Sequence, residues 1–133
     1  MAERSFSELI LIRHGATDRP GHLCGRTDVG LADVPVMPSG AALADSQTIW
    51  VSPARRARQT ATGLWPDRVL HEDPRLWEQN FGAWDGLPYS EVPDVGVLSL
   101  AALAELKAEG GESFADVVAR VEPALQEAGQ AAL

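Results

Sequence analysis

The sequence has 133 residues, of which 45% are hydrophobic, and a net charge of −8 at pH 7. This composition is typical of a single globular domain spanning residues 1–133, which is large enough to bury a core without disulfides. The negative charge argues against nucleic-acid binders and anionic-membrane binders, because both need a dense basic surface. The only cysteine, Cys24, cannot form an intrachain disulfide, and residues 1–8 are polar, so we expect a cytoplasmic protein without a signal peptide or a membrane span.

Basic and acidic residues are unevenly distributed along the chain. Residues 1–58 contain 7 of the 11 lysines and arginines and 6 of the 19 acidic residues, whereas residues 59–133 contain 4 and 13. Ten of the 11 basic residues are arginines. Arginine presents a planar fork of N–H donors that suits phosphate and carboxylate groups, so this bias favours an anionic ligand, although clustered charges also form ordinary solvated surfaces.

The apolar run at residues 9–12 predicts a buried parallel strand that ends at Arg13 and His14. Open α/β sheets bind ligands at this edge. There, Arg13 offers donors for a phosphate, His14 offers a nitrogen lone pair, and Gly15 permits a sharp turn. A histidine whose ring is merely satisfied by a backbone carbonyl is an equally open interpretation of these residues.

The rest of the chain predicts strands that alternate with helices. Strands are predicted at residues 48–51 and 68–71, a loop at 18–36, and helices at 41–46, 54–64, 98–107 and from 113 onward. Such alternation is typical of an α/β fold with a parallel sheet.

The predicted helix at 54–64 has an unusual start. Ser52 and Pro53 suit the N-cap and the first helical position, but the first turn carries Arg55 and Arg56, with Arg58 next, where acidic residues are usually preferred. Because helix N-termini and arginines both attract anions, we expect one of these arginines to belong to a phosphate site and the others to lie on an exposed basic face.

Residues 76–86 contain two tryptophans, a phenylalanine and two glycines, and they fit neither a helix nor a strand period. We expect a packed loop that walls a pocket and surrounds Glu78 with apolar groups, which is an environment suited to a proton donor. The alternative is a solvated Glu78 beside aromatic rings that only pack on the core. His71 has no partner at metal-ligand spacing, so no metal site is predicted.

Taken in order, four stretches resemble the histidine phosphatase superfamily, also called the phosphoglycerate mutase-like family. They are residues 11–17, residues 25–28 with Leu31, residues 52–61 and residues 78–86, with a weaker similarity at residues 110–114. The resemblance extends from about residue 8 to about residue 122. It implies a three-layer α/β/α fold with a mostly parallel central sheet.

The resemblance also implies a mechanism. His14 would be the nucleophile that takes the phosphoryl group onto a ring nitrogen, while Arg13 and Arg56 would bind the phosphoryl oxygens. Glu78 would protonate the leaving oxygen and later activate a water molecule. The reaction implied needs no metal and no organic cofactor.

Further expectations concern the substrate loop and the partners. Arg26 and Thr27 fall in the loop that borders the substrate in similar proteins. The expected partner is a small phosphorylated metabolite, with no nucleic acid and no membrane, and a homo-oligomer is as compatible with the sequence as a monomer is.

The sequence departs from the family near its C-terminus. Relatives carry a second histidine at the end of a later core strand, after the helix that begins near residue 113. Neither His22 nor His71 lies at that position, and the sequence stops at Leu133. We therefore expect a truncated chain from which the C-terminal strand or strands of the sheet are missing. The alternatives are that another chain fills the gap, or that this is a shortened family member that no longer catalyses well.

The resulting prediction is a phosphatase that hydrolyses small phosphomonoesters through a phosphohistidine. Two alternatives stay open: a non-enzymatic phosphate-ligand binding or interaction protein that lacks the second histidine, and a phosphoglycerate mutase-type phosphotransferase. Among relatives, a short segment at the position of residues 87–110 favours a phosphatase over a mutase.

Overall fold

A strand, a helix and a second strand follow one another between residues 49 and 72. They are β1 (Ile49–Val51), α1 (Arg55–Leu64) and β2 (Leu70–Glu72), in a computed structural model that describes residues 8–33 and 47–131. β1 and β2 pair in parallel, with Ile49 opposite Leu70 and Val51 opposite Glu72. Parallel neighbours need a crossover connection, which α1 supplies. The two strands and the helix predicted in this region are confirmed, with shifts of one or two residues at their ends.

The hydrophobic core lies between β1 and α1. Ile49 and Val51 are buried and pack with Ala61 and Trp65, while the intervening Trp50 points to the opposite face of the sheet. There the ring of Trp50 lies 5.5 Å from the ring of His71 on β2, measured between centroids. The β-branched and aromatic composition of residues 48–51 is what predicted this strand from the sequence.

The start of α1 differs from the prediction. Ala54 precedes the helix with ψ of 134°, an extended backbone that prevents the helix from beginning earlier, so Ser52 is not its N-cap. The first helical N–H, that of Arg55, instead donates to Asp28 Oδ1 over 2.7 Å. A carboxylate from a distant loop therefore caps the helix in place of the local hydroxyl.

The C-terminal half consists of short turns followed by two helices. The turns are of the 3₁₀ type, at Pro74–Leu76, Gly82–Trp84 and Tyr89–Glu91, and the helices are α2 (Leu100–Glu105) and α3 (Phe114–Ala131). The capping arrangement predicted at the start of α3 is confirmed: Ser113 and Asp116 exchange backbone-to-side-chain hydrogen bonds of 2.9 and 3.1 Å. Within the described residues, no helix is long and apolar enough to cross a lipid bilayer.

Residues 9–12 are the main correction to the predicted elements. They form no strand in the structure, and Leu11 is 77% exposed. A strand exists only where a neighbour accepts and donates its backbone hydrogen bonds, and no strand among residues 8–33 and 47–131 pairs with this segment. The apolar composition alone was therefore insufficient for the prediction. The helix predicted at 41–46 lies outside the described residues.

Candidate functional site

His14 lies in an irregular turn that is attached to α1. The backbone N–H of Gly15 donates to Thr60 Oγ1 over 3.0 Å, and this hydroxyl donates to the carbonyl oxygen of Arg56 over 2.8 Å. His14 Nδ1 lies 2.7 Å from the carbonyl oxygen of Gly15. Because a carbonyl oxygen only accepts, Nδ1 carries a proton, and in the neutral ring the lone pair is then on Nε2. The ring is thus satisfied by a backbone carbonyl and still retains a nucleophilic nitrogen.

Arg56 is the one buried arginine among the three at the start of α1, with 3% of its surface exposed. Its Nη2 donates to the carbonyl oxygens of Cys24 and Gly25 over 3.3 and 3.0 Å. Its Nη1 is buried and has no hydrogen-bond partner among the described residues. A buried cationic donor without a partner is costly, so this nitrogen marks a position where an anion would be stabilised.

Asp85 fixes the loop that supplies these carbonyls. Its two carboxylate oxygens accept hydrogen bonds from the backbone N–H groups of Arg26 (2.8 Å), Thr27 (2.8 Å) and Phe81 (3.2 Å), and from the Thr27 hydroxyl. Burial raises the pKa of Asp85, but these hydrogen bonds together outweigh burial and hold the pKa below its ordinary value. The ionised carboxylate therefore ties residues 25–27, including the Gly25 carbonyl on Arg56, to the aromatic loop.

Two guanidinium groups hold the backbone of Glu78. The carbonyl oxygen of Glu78 accepts hydrogen bonds from Arg120 Nη2 (3.0 Å) and from Arg26 Nε (3.3 Å). Arg26 also lies over the ring of Trp77, 5.3 Å from its centroid. Glu112 forms ion pairs with both arginines, at 2.8 Å to Arg120 and 3.4 Å to Arg26. One network of hydrogen bonds and ion pairs therefore joins Arg26, Glu78, Glu112 and Arg120.

The side chain of Glu78 is exposed, so the expected apolar surrounding is wrong and the solvated alternative is correct. Its Oε1 accepts the N–H of Gln79 over 2.9 Å. The neighbouring residues Trp77, Phe81 and Trp84 are half-buried. In this exposed position water and the N–H of Gln79 can stabilise the negative charge of the carboxylate.

The other predicted site residues have different surroundings. Arg13 is exposed and makes no hydrogen bond to another residue in the described part of the chain. The side chains of Arg26 and Thr27, expected to border the substrate, are engaged by Glu112 and Asp85 respectively. An open groove of about 410 Å³ lies on a different face of α1 and is lined by Arg55, Arg58, Gln59, Thr62 and Gly63, none of which was predicted as a catalytic or phosphate-binding residue.

Sequence reasoning missed four residues that support the candidate site: Thr60, Asp85, Glu112 and Arg120. Thr60 lies four positions after Arg56 on the same helix, so its hydroxyl could have been placed beside the Arg56 carbonyl from helix geometry alone. The other three make contacts with residues far away in the chain: 42 positions separate Arg120 from Glu78, 59 separate Asp85 from Arg26, and 86 separate Glu112 from Arg26. A local sequence pattern cannot predict contacts between residues that are so far apart in the chain.

The network around Glu112 should make the stability of the folded protein decrease in acid. Hydrogen bonds from Arg120, outweighing burial, lower the pKa of Glu112 from 4.5 to about 2. Because the pKa is lower in the folded state, the stabilisation is complete above pH 4.5 and is lost as the pH falls towards 2. We expect the free energy of unfolding, from urea titrations at a series of pH values, to fall across this window. A Glu112→Gln variant should show a shallower decrease, and an identical pH dependence would contradict the role of Glu112.

Comparisons with known proteins identify the family. The sequence profile of the histidine phosphatase superfamily (branch 1) matches residues 9–132. A bifunctional protein of Mycobacterium tuberculosis strain H37Rv is 34% identical in an alignment 131 residues long, which covers 86% of this chain and 35% of that protein. An uncharacterized protein of Mycobacterium bovis matches with the same identity and coverage. The chain therefore spans about a third of the length of these curated relatives.

Solved structures give the same result for the fold. A mycobacterial glucosyl-3-phosphoglycerate phosphatase superposes with a TM-score of 0.66 at 29% identity, over 86% of this chain and 59% of that protein. A protein of Thermus thermophilus superposes with a TM-score of 0.65 at 28% identity, over 86% of this chain and 68% of its own. These matches confirm the predicted α/β fold of phosphoglycerate mutase-like proteins. The chain belongs to the histidine phosphatase superfamily, branch 1.

Proposed function

We propose that this chain hydrolyses small phosphomonoesters through a phosphohistidine at His14. The observation that carries the proposal is the arrangement of Arg56, whose Nη2 is held by two carbonyl oxygens while its buried Nη1 has no partner among the described residues. A phosphoryl oxygen would supply the missing acceptor and the compensating negative charge. Similarity to a glucosyl-3-phosphoglycerate phosphatase supports hydrolysis of a phosphomonoester as the reaction type.

The side chains assigned to the site are suited in their chemistry to a two-step reaction. His14 Nε2 attacks phosphorus while the bond from phosphorus to the leaving oxygen breaks, and Glu78, in its protonated form, donates its proton to that oxygen. Water then attacks phosphorus as its proton moves to Glu78, and the bond from nitrogen to phosphorus breaks, which restores the neutral ring. Arg56 and the exposed Arg13 stabilise the phosphoryl oxygens in both steps. The hydrogen bond from Nδ1 to the Gly15 carbonyl keeps the required tautomer.

The composition bears on the substrate and the setting. A net charge of −8 disfavours nucleic acid and anionic membranes as substrates and leaves a small phosphorylated metabolite as the expected one. The single cysteine fits a reducing compartment, so we place the activity in the cytoplasm. In this proposal no metal or organic cofactor takes part, because the nucleophile, the cations and the acid are all side chains.

The direct test is to trap the intermediate. The full chain is mixed with a radiolabelled phosphomonoester, denatured, and divided between acid and alkali. We expect released phosphate together with a protein-bound label that is lost in acid and retained in alkali, as expected for a phosphoramidate. Bound phosphate without turnover or label would overturn the proposal in favour of a binding protein. Return of the label to a second substrate molecule would indicate a phosphotransferase.

Replacement of Arg56 by lysine tests the phosphate contact. Lysine retains the positive charge but has a single nitrogen in place of the planar fork, whose Nη2 binds the carbonyl oxygens while Nη1 is left for a phosphoryl oxygen, so we expect kcat/KM to fall by about 10²-fold. The matched control is Arg55→Lys, which changes an exposed arginine one position earlier on the same helix. Steady-state kinetics with p-nitrophenyl phosphate would measure both variants, and equal effects would exclude a specific role for Arg56.

A further inference from the structure

Glu112 and Arg120 form a bidentate ion pair beside Glu78. Arg120 Nε and Nη2 donate to the two carboxylate oxygens of Glu112 over 2.8 and 3.0 Å. The Arg120 and Glu112 side chains are only 20% and 21% exposed. Paired hydrogen bonds and partial burial distinguish this contact from a solvated surface ion pair, which usually contributes little.

The pair also holds the backbone on both sides of residue 78. The guanidinium donates to the carbonyl oxygens of Arg75 and Trp77, each over 2.7 Å, and to that of Glu78 over 3.0 Å. The carboxylate of Glu112 accepts the N–H of Asn80 over 2.9 Å, and the backbone N–H of Glu112 donates to the Asn80 carbonyl over 2.7 Å. The peptide groups before and after Glu78 are therefore fixed by one ion pair.

The carboxylate of Glu78 has little support of its own. Within the described part of the chain it accepts one hydrogen bond, from the adjacent N–H of Gln79. Its position relative to a bound phosphomonoester is then determined by the backbone that carries it. A displacement of about 1 Å at a reacting group can lower a rate by about 10²-fold.

From these contacts we infer that Glu112 and Arg120 are positioning residues for Glu78 as the proton donor, an inference that rests on the proposed function. Neither side chain touches the reacting atoms. The ion pair fixes the peptide groups of residues 77–80, and those peptide groups fix the reach of the Glu78 carboxyl. Arg26 adds a second contact to the same carbonyl oxygen.

The inference predicts a dependence on the leaving group. An alkyl phosphate releases a strongly basic alkoxide that must be protonated, whereas p-nitrophenyl phosphate releases a stable phenolate that does not need a proton. General acid catalysis typically contributes about 10²–10⁴-fold to a rate. A displaced proton donor should therefore slow the first substrate and spare the second, while a general loosening of the fold should slow both.

The test is the isosteric Glu112→Gln variant of the full chain, assayed with glycerol phosphate and with p-nitrophenyl phosphate. We expect kcat/KM to fall at least about tenfold for glycerol phosphate and less than about twofold for p-nitrophenyl phosphate. The matched control is Glu127→Gln, which removes an ion pair of α3 with Arg75 at 2.6 Å but touches no backbone group of residues 77–80. It should leave both substrates unaffected.

Each other outcome is decisive. Equal losses on the two substrates would overturn the inference and leave the proposed function standing. If the unmodified chain hydrolyses neither substrate, both the proposed function and the inference are overturned. If Glu112→Gln does not fold, as judged by circular dichroism, Arg120→Lys replaces it, because lysine keeps the ion pair but cannot reach three carbonyl oxygens. The same selective loss is then expected, and an equal loss again counts against the inference.

Discussion

Replacing His14 with alanine should reduce phosphate release by at least about 10³-fold, which is the size of effect seen when a catalytic nucleophile is removed. In the unmodified protein Nδ1 donates to the Gly15 carbonyl over 2.7 Å, so Nε2 is the atom available to attack phosphorus. Alanine removes this atom without changing the backbone that binds Thr60 through the Gly15 N–H. The protein should therefore remain folded while the labelled intermediate disappears.

The matched control for this experiment is His71→Ala. His71 lies on β2, where its ring is exposed and contacts the Trp50 ring, so its loss should leave phosphate release unchanged. Continuous assay of p-nitrophenol and a parallel acid-versus-alkali label measurement would report both variants. Full activity in the His14 variant would remove the basis of the proposed reaction, because no phosphohistidine could then form at this position.

The parts of the fold that could be predicted from the sequence depend on local composition and on helix-start signals. β1 was recognisable from its β-branched and aromatic residues, and α1 because Ser52 and Pro53 signal the start of a helix directly after that strand. The prediction that one of the three clustered arginines belongs to a site while the others lie on the surface also agrees with their burial. Only Arg56 is buried, because its direction on the helix differs from those of Arg55 and Arg58 by roughly 100° and 160°.

The parts that could not be predicted depend on pairs that are distant in the chain. Residues 9–12 have the composition of a strand, but a strand is a property of two segments, and the described residues offer this one no partner. Similarly, the sequence placed Glu78 among aromatic residues without indicating which of them face inward. Asp85 and Glu112 appeared as two of many acids in an acidic half, although their backbone contacts shape the candidate site.

Gly25→Ala should be among the most destabilising single substitutions of this chain. A Cβ at this position would overlap the carbonyl oxygen of Gln79 and would lie 2.9 Å from both Asp85 Oδ2 and Phe81 Cδ2. Gly25 does not have a positive φ, so the cost is a steric one rather than a conformational one. The clash with a backbone oxygen can be relieved only if the loop of residues 24–27 moves away from the loop of residues 79–85.

The expected loss of stability is about 2–4 kcal/mol, which combines overpacking with weakened hydrogen bonds to Asp85. Thermal and urea denaturation would measure it. Gly129→Ala is the matched control, because nothing lies within 4 Å of its added Cβ and it stands within α3, where alanine is preferred by about 1 kcal/mol. The control should be as stable as the unmodified protein or more so.

Gly25→Ala should also lower the activity, and by more than the decrease in the fraction of folded protein explains. The carbonyl oxygen of Gly25 accepts a hydrogen bond from Arg56 Nη2 over 3.0 Å, and displacement of this oxygen would let the guanidinium rotate away from the phosphoryl group. We therefore expect kcat/KM, corrected for the folded fraction and measured well below the melting temperature, to fall at least about tenfold. A Gly25→Ala protein with unchanged melting temperature and unchanged kcat/KM would mean that the two loops are not packed as described.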